Sequence, residues 1–448
     1  MMSLSRLWIL CGGISLFLAC PGTAMAQTQS QGSGQTQEPP PSGGSQPPGQ
    51  AGASGASDVV RGSSGGSFSR VVPLVTFSER YDTNVFFSPA KISDFVTSIR
   101  PGARMEYRDD LVDGSLTGGA VAEFYARNPE LNYVGGNAIL SGSFDNLVGR
   151  MVRGLGLRIL DSFIYTPQPM AFVTPQAPET SFLRGIQTVR NNYLSNSANI
   201  MSTYAMTPVT LVNASYSNQI MRFFNQTFPS APGTTPPALF NTNVNVFSAG
   251  PQYLLSATES IGASYMYQKM DFEPNTGVGA GYGVATHGVM ATWKSSFTRE
   301  WTIELSPGVT VLNTLPDTLI WTMRAMLGWT DGRTSAGLTY SRGVYPSFFV
   351  SATALISNVV NATFSQNLSS DWSLSAQANY GYNESTGGVQ GLRFESYDFS
   401  GAVNYRVYQG MVASLTLTQG NYSYGQAGSP DVKFDRQTAV LYLTAEWN

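Results

Sequence analysis

The residues best suited to chemistry are arginines that recur at every fourth position of one segment. Arg100, Arg104 and Arg108 lie within 94–108, and Glu106 falls between the last two. If this segment is a β-strand, side chains of equal parity project from the same side, so these residues share one face. The guanidinium group presents a fixed fork of donors that suits carboxylate, sulfate or phosphate. Such a row would attract small anions.

The same parity places charged residues of neighbouring segments on this face. They are Arg70, Arg80, Glu123, Arg127 and Arg158. Charged side chains that line a pore select the solutes that pass, so one interpretation is a pore wall that attracts anions. The alternative is that arginines and carboxylates neutralise one another and only keep an interior surface wet.

Cysteine and histidine chemistry has little support in this sequence. The two cysteines, Cys11 and Cys20, lie near the N-terminus, and His287 is the only histidine. The usual zinc site needs several ligands, and a histidine base needs an orienting acid and a nucleophile within reach. His287 shares its parity with Val289 and Trp293, which places it on an apolar face. We therefore expect no catalytic residues, no metal and no cofactor.

Composition narrows the class of protein that must position these residues. Of 448 residues, 12% are charged and 42% are hydrophobic, and the net charge is −3. The charged share is about half the usual ~25%, and a near-neutral chain is not expected to bind nucleic acid. Beyond the N-terminus, no apolar run reaches the ~18 residues that a membrane helix needs. These features favour a β-barrel that meets lipid on one face.

The N-terminus has the features of a secretory signal. Arg6 precedes the apolar run 7–19, and Ala24-Met25-Ala26 supplies a small-residue cleavage site. The following residues are mostly Gln, Gly, Ser and Pro, which cannot bury enough surface to offset the entropy lost on ordering. The chain therefore divides into a signal peptide at 1–26, a disordered periplasmic tail at 27–67 and a barrel at 68–448.

From Phe68 onward, apolar and polar residues alternate with a period of two. The alternation is clearest in 319–330, 372–383 and 395–407. A strand sorts such residues onto two faces, whereas a helix would mix them. Strands of about 11–15 residues with aromatic ends, apolar outside and polar inside, are typical of a transmembrane barrel.

Eighteen such segments can be placed. They are approximately 68–80, 94–108, 114–128, 135–146, 153–167, 196–207, 209–225, 243–255, 259–272, 284–298, 301–313, 318–330, 334–345, 348–366, 372–384, 394–408, 411–424 and 436–448. Connections after even-numbered segments are mostly short and those after odd-numbered segments are often longer, which is typical of a barrel with periplasmic termini. The alternative is sixteen strands, because 334–366 is hard to divide.

Two further segments bear on function. The connection 168–195 is long for a barrel loop, and it could either fold inward and narrow the pore or lie at the surface. At the C-terminus, apolar residues alternate from Ala439 to Trp447. This pattern resembles the strand signal that the barrel-assembly machinery binds.

Four motifs carry a resemblance to a known group of proteins. They are SERYDTNVFF at 78–87, DFVTSIRPG at 94–102, DSFIYTPQP at 161–169 and NNYLSNSANIMSTYAMTP at 191–208. These motifs resemble uncharacterised outer-membrane β-barrel proteins described as porins, some of them encoded near exopolysaccharide or exosortase systems. The resemblance covers most of 68–448. It implies a barrel in a Gram-negative-type outer membrane, in contact with lipid and lipopolysaccharide, and it does not define a substrate.

The function that we expect is passive passage of small hydrophilic solutes, with anions favoured. One alternative is a conduit that exports an exopolysaccharide. Another is a structural or adhesive barrel that conducts nothing. Because the interior of a barrel of about eighteen strands is wider than its side chains can fill, the first expectation is the leading one.

Overall fold

The computed structural model describes most of the barrel region. The described residues are 67–167, 192–224, 240–274, 281–313, 317–346, 354–386, 391–426 and 431–447. The predicted signal peptide, nearly all of the polar tail and most of the connection 168–195 lie outside them.

Within these residues, eighteen antiparallel strands form one sheet that closes on itself. They are β1 (Phe68–Asp82), β2 (Asp94–Arg108), β3 (Asp113–Tyr125), β4 (Tyr133–Ser143), β5 (Leu155–Thr166), β6 (Tyr193–Thr207), β7 (Thr210–Phe223), β8 (Phe240–Leu254), β9 (Glu259–Pro274), β10 (Tyr282–Ser295), β11 (Trp301–Asn313), β12 (Thr318–Thr330), β13 (Thr334–Pro346), β14 (Ala354–Asn367), β15 (Trp372–Thr386), β16 (Leu392–Tyr408), β17 (Met411–Gln426) and β18 (Val432–Glu446). Consecutive strands pair, and β18 pairs back with β1. The prediction of eighteen strands is confirmed, and the alternative of sixteen is wrong.

The connections separate the two ends of the barrel. Those after even-numbered strands are mostly tight, and Gly332 and Gly410 adopt φ of +86° and +84° in two of them, a conformation that glycine reaches without steric cost. Beside Gly332, backbone N–H groups of Thr334 and Arg333 donate to Asp331 and lower the pKa of its carboxyl group. We call this the short-turn end and the opposite one the long-connection end.

A short helix at the short-turn end was not predicted. The helix α1 (Asp145–Met151) occupies the connection between β4 and β5. Asp145 lies in its first turn and Arg150 in its last, the placement that the helix dipole favours. The carboxylate of Asp145 also accepts the backbone N–H of Leu157 at 2.8 Å, which ties the helix to β5. Within the described residues, no helix has the length and hydrophobicity of a membrane span.

The outer face of the barrel is largely apolar, as the alternation predicted. Trp321, Tyr397 and Phe399 are 54–58% exposed, whereas Ser396 and Asp398, which alternate with the last two, are 0% and 3% exposed. Near the short-turn end, aromatic side chains form contacts along this face. Trp372 stacks on Tyr405 with ring centroids 4.5 Å apart. Aromatic residues at both edges of an apolar band are typical of transmembrane barrels.

The facing pattern changes near the long-connection end of β8 to β11. There the inner face carries Val244, Met270, Phe272 and Leu312, all no more than 1% exposed. The opposite face of β9 carries Lys269 and two acidic residues beyond it. The rule of polar side chains inside therefore fails at this end. A polar outer face is expected where strands extend beyond the apolar part of a bilayer, because water is available there.

Candidate functional site

The inner faces of β1, β2, β3 and β18 carry most of the charged side chains singled out in the sequence. The register places Arg70 opposite Glu106 and Thr76 opposite Arg100. It also places Ser98 opposite Glu123. Paired residues of an antiparallel sheet share a face, so these residues lie on one side of the sheet, as their parity predicted. We call these inner faces the charged wall.

Glu123 is the centre of the upper part of the charged wall. Arg80 donates from Nη2 to Glu123 Oε2 at 3.0 Å and to the hydroxyl of Tyr125 at 3.2 Å. Nη2 of Arg100 lies 3.5 Å from the other carboxylate oxygen of Glu123. One buried carboxylate therefore holds two arginines from two neighbouring strands.

Asp82 and Arg436 form a second ion pair across the seam where β18 meets β1. Arg436 donates from Nε to Asp82 Oδ1 at 3.0 Å and from Nη2 to Oδ2 at 2.5 Å. The guanidinium carbon also lies 4.3 Å from the ring centroid of Phe87. Sequence analysis missed Arg436, because only closure of the barrel brings the last strand beside the first. Its one sequence signal is the alternation of the last strand, which gives Arg436 the parity of Thr438 and Val440.

The lower part of the charged wall is more exposed. Arg104 pairs with Glu446 of β18, and its Nε lies 3.1 Å from Oε1 of Glu106. At the short-turn end, Nε of Arg108 donates to Asp113 at 2.8 Å. All three arginines of β2 that recur at every fourth position thus have carboxylate partners.

The charged wall holds equal numbers of the two charge types. Its members are Arg70, Arg80, Arg100, Arg104, Arg108 and Arg436, and Asp82, Asp94, Glu106, Asp113, Glu123 and Glu446. This balance matches the interpretation in which arginines and carboxylates neutralise one another.

Exposure to the lumen nevertheless differs between the two charge types. The side chains of Asp82 and Glu123 are 1–2% exposed, whereas those of Arg80 and Arg100 are 15% and 28% exposed. Arg104 is 36% exposed against 12% for its partner Glu446. In these pairs the carboxylate lies beneath the guanidinium group, whereas Glu106, at 39%, is as exposed as Arg104. The upper part of the charged wall therefore presents more positive than negative surface to the lumen.

Two arginines lie away from this constellation. Arg158 is on β5, and its Nε is 3.4 Å from Oδ2 of Asp145 in α1. The prediction for Arg127 is wrong: β3 ends at Tyr125, and the Arg127 guanidinium lies 5.9 Å from the ring centroid of Phe95, which faces outward. The chain turns here because Asp94 accepts the backbone N–H of Arg127 at 2.9 Å.

His287 lies on the outer face of β10. Its Nδ1 is 2.7 Å from the hydroxyl of Tyr265, and its ring centroid is 5.0 Å from that of Tyr267. Both tyrosines belong to β9. The observed partners thus place His287 among aromatic side chains of the outer face.

The connection 83–93 folds into the barrel at the long-connection end, and we call it the mouth segment. Val85 and Phe86 pack with Val96, Tyr125 and Leu131 on the inner side. Its Phe87 reaches the other way and packs with Tyr422 and Phe434 on the inner faces of β17 and β18. Sequence analysis did not foresee this arrangement.

Hydrogen bonds of the buried Asn84 side chain and an ion pair at the surface hold the mouth segment in place. The side chain of Asn84 donates to the carbonyl oxygens of Ser88 at 2.7 Å and Asp435 at 3.0 Å. Nζ of Lys91 lies 2.6 Å from the carboxylate of Asp435. The segment therefore narrows the mouth of the barrel as a fastened element.

Comparison with known proteins gives structural likenesses alone. No family model matches the chain, and no curated protein matches it. The outer membrane protein OpdK from Pseudomonas aeruginosa has a TM-score of 0.40 and 11% identity, covering 84% of this chain and 99% of that chain. OccAB3 of Acinetobacter baumannii has a TM-score of 0.39 and 11% identity, covering 85% and 99%. OccK2 (OpdF) of Pseudomonas aeruginosa, solved with glucuronate, has a TM-score of 0.42 and 7% identity, covering 85% and 98%. The closed barrel of this chain is established by its own strand pairing.

Proposed function

We propose that the protein is an outer-membrane channel for passive passage of small hydrophilic solutes, with a mild preference for anions. The observation that carries this proposal is a closed eighteen-strand barrel with an apolar outer face and a charged wall inside. Barrels of about 16–18 strands leave an aqueous channel. An apolar outer face suits contact with lipid. A closed sheet also has no open edge, so it exposes no unpaired backbone groups to the bilayer.

The placement of the pairs in the charged wall supports the anion preference. Asp82 and Glu123 are buried under Arg80, Arg100 and Arg436. A permeating ion therefore approaches guanidinium groups more closely than carboxylates. A charge on the wall acts on ions within about a Debye length, which is ~8 Å at physiological salt. Because these guanidinium groups lie closer to the lumen than their carboxylate partners, they attract anions more strongly than the carboxylates attract cations. Because the six arginines and six carboxylates of the charged wall sum to zero charge, the preference for anions is mild.

The arrangement of β18 supports assembly in the outer membrane. Leu441 and Leu443 are 57% and 42% exposed on the outer face of the last strand. Lipid, lipopolysaccharide and the barrel-assembly machinery remain the partners that we propose, the last through this strand.

The test is a reversal-potential measurement on the purified protein in planar bilayers under a potassium chloride gradient. The wild type should give a reversal potential of the sign for chloride preference. Replacing Arg100, Arg104 and Arg108 together with Gln removes three positive charges from a neutral wall, so the variant should prefer potassium. Folding should be retained, because Arg80 still pairs with the buried carboxylate of Glu123 and Gln keeps polarity and much of the bulk.

Two variants serve as controls. Arg100→Lys keeps the charge and should keep the preference. Arg324→Gln removes an arginine that faces Glu304 on the opposite part of the barrel, with 3.9 Å between Nε and Oε1. This variant should have a smaller effect on the reversal potential than Arg100→Gln.

Three outcomes would contradict parts of the proposal. If the triple variant conducts normally and its reversal potential is unchanged, the proposed anion preference is wrong. Absence of any conductance from folded wild-type protein would favour the non-conducting structural barrel, and blockage by a polysaccharide would favour the export conduit.

A further inference from the structure

The inner faces of β14, β15 and β16 hold a group of buried polar side chains, which we call the polar cluster. Its members are Ser357, Asn379, Asn383, Ser396 and Asp398. Each is at most 4% exposed, and each has at least one buried side-chain nitrogen or oxygen without a hydrogen-bond partner. Both amide atoms of Asn383 are in this state.

Strand register makes these residues one patch. Ser357 lies opposite Asn383, and Asn379 lies opposite Asp398. Between those two rungs, Ser396 lies opposite Gly381, which has no side chain to separate them. Buried polar groups are nearly always hydrogen-bonded, so several adjacent groups with free bonding capacity form a surface suited to a polar ligand.

Aromatic rings border the polar cluster. Phe394 lies next to Asn383 in register, and Tyr422 lies next to Ser396. Tyr422 stacks on Phe434 with centroids 5.2 Å apart. Short polar side chains thus lie between rings on the same inner face. Binding sites for small molecules commonly combine apolar and aromatic walls with a few placed polar groups.

The chemistry of the polar cluster points to a neutral solute with several hydroxyl groups. The free atoms include donors, such as Nδ2 of Asn379, and acceptors, such as Oδ2 of Asp398. A hydroxyl group both donates and accepts, so adjacent hydroxyls can satisfy such a mixed set. None of the five members carries a positive charge that would favour an anion over a neutral solute, and the aromatic border fits the C–H face of a sugar ring.

The position of Asp398 is fixed by its own contacts. The hydroxyl of Tyr422 donates to Asp398 Oδ1 at 2.6 Å and leaves Oδ2 free. This bond crosses Gly420, where a Cβ atom would lie 2.6 Å from Oδ1 of Asp398. The glycine therefore permits the tyrosine to orient the carboxylate.

The mouth segment closes the aromatic border. The ring of Phe87 lies 5.9 Å from that of Tyr422 and 6.3 Å from that of Phe434. Phe87 and Lys91 adopt φ of +51° and +36°, a region that bulky residues rarely occupy and that stores strain. Truncation of the Phe87 side chain would uncover the rings beside the polar cluster.

We propose that the polar cluster is a binding subsite for a neutral polyhydroxylated solute such as a sugar, and that Phe87 covers it. The polar cluster lies on β14, β15 and β16 and adjoins the charged wall through Phe434 and Phe87, on which Arg436 stacks; the proposal does not depend on ion preference or on conductance.

The test uses a cysteine reporter in the full-length protein purified in detergent. The chain has two cysteines, Cys11 and Cys20, so protein without an added cysteine supplies the background. Ser396→Cys places a thiol in the polar cluster, and its rate of reaction with a charged methanethiosulfonate reagent reports access. Adding Phe87→Ala should raise that rate about tenfold or more, because truncating a buried phenylalanine removes most of its packing. Phe87→Leu provides a second opening variant should the alanine variant fail to fold.

Galactose is the probe, and galacturonate is the matched anion, since it differs by a carboxylate. In the Phe87→Ala background, galactose should slow labelling of Ser396→Cys severalfold, and galacturonate should protect less. Asn383→Leu should abolish protection, whereas Gln268→Leu, which alters a buried inner-face amide of β9, should retain it. Labelling that is equal with and without galactose overturns the subsite. Stronger protection by galacturonate overturns its neutral character, and unchanged access in both Phe87 variants overturns the covering role of the mouth segment.

Discussion

Glu123 illustrates at the level of single residues how the charged wall depends on buried partners. Its carboxylate is 2% exposed and contacts Arg80 and Arg100, which come from β1 and β2. Removing one partner of a buried ion pair leaves an uncompensated charge, which is more costly than never having formed the pair.

Glu123→Gln should therefore lower the free energy of unfolding by about 3–5 kcal/mol. The measurement is urea unfolding of the refolded protein in lipid vesicles. Glu79→Gln is the matched control, because Glu79 is an exposed carboxylate that accepts from Thr97 at 2.7 Å on the outer face of β1. If both variants lose the same free energy of unfolding, the buried ion pairs of Glu123 add no more stability than an exposed carboxylate does.

Sequence alone reached much of the charged wall at this scale. Parity along 94–108 was sufficient to place Arg100, Arg104 and Glu106 on one face, because a strand has a fixed period of two. It could not supply Arg436 or Glu446, whose contacts arise only when the last strand meets the first. It also could not reveal the difference in depth between arginines and carboxylates, since depth depends on which side chain overlies which.

At the level of the strand, facing is the property that sequence predicts most directly. Leu374 lies opposite Val403, and Ser375 lies opposite Ala402 and Ser365. Val403 is 37% exposed on the outer face, so Leu374 faces outward and Ser375 inward.

Leu374→Arg should lower stability, because lipid cannot solvate the charge; the loss should be smaller than the about 2–4 kcal/mol of a midplane position, since Leu374 lies two residues from Trp372 near the short-turn end. Ser375→Arg should be nearly neutral, since the lumen can hydrate a guanidinium group. Refolding into vesicles followed by denaturant titration compares the two variants. If their stabilities fall by the same amount, the facing of β15 is wrong.

Connections were predicted less well than strands. The helix α1 has only seven residues, too few for a helical period to stand out between strand patterns. The mouth segment is held by tertiary contacts such as Asn84 with Asp435, which are 351 positions apart. Contacts of such sequence separation leave no local signal. The polar cluster likewise combines ordinary serines and asparagines of three strands, and only register brings them together.

At the level of the whole molecule, composition predicts a boundary near Phe68. Residues before it are dominated by Gln, Gly, Ser and Pro, and alternation begins after it. We expect 68–448 to insert into detergent or lipid without the tail and 27–67 to be cleaved readily, because backbone that is not hydrogen-bonded is open to proteases. Limited proteolysis with mass spectrometry provides the test. A protected fragment that begins well before Phe68 would contradict this division.

The pairing of β1 with β18 has a consequence for shortened chains. Asp82 belongs to the first strand of the described barrel, and its partner Arg436 belongs to the last. Without β18, that carboxylate has no counter-ion from the last strand, and the hydrogen-bonding edge of β1 from Leu74 to Asp82 has no strand to meet. A chain truncated before β18 would thus present an open edge, and of its two arginine contacts Asp82 would keep only the longer one, with Arg80, whose Nε lies 3.7 Å from Oδ2. The seam ties closure of the barrel to the presence of its last strand, so a chain that ends before β18 should fail to close.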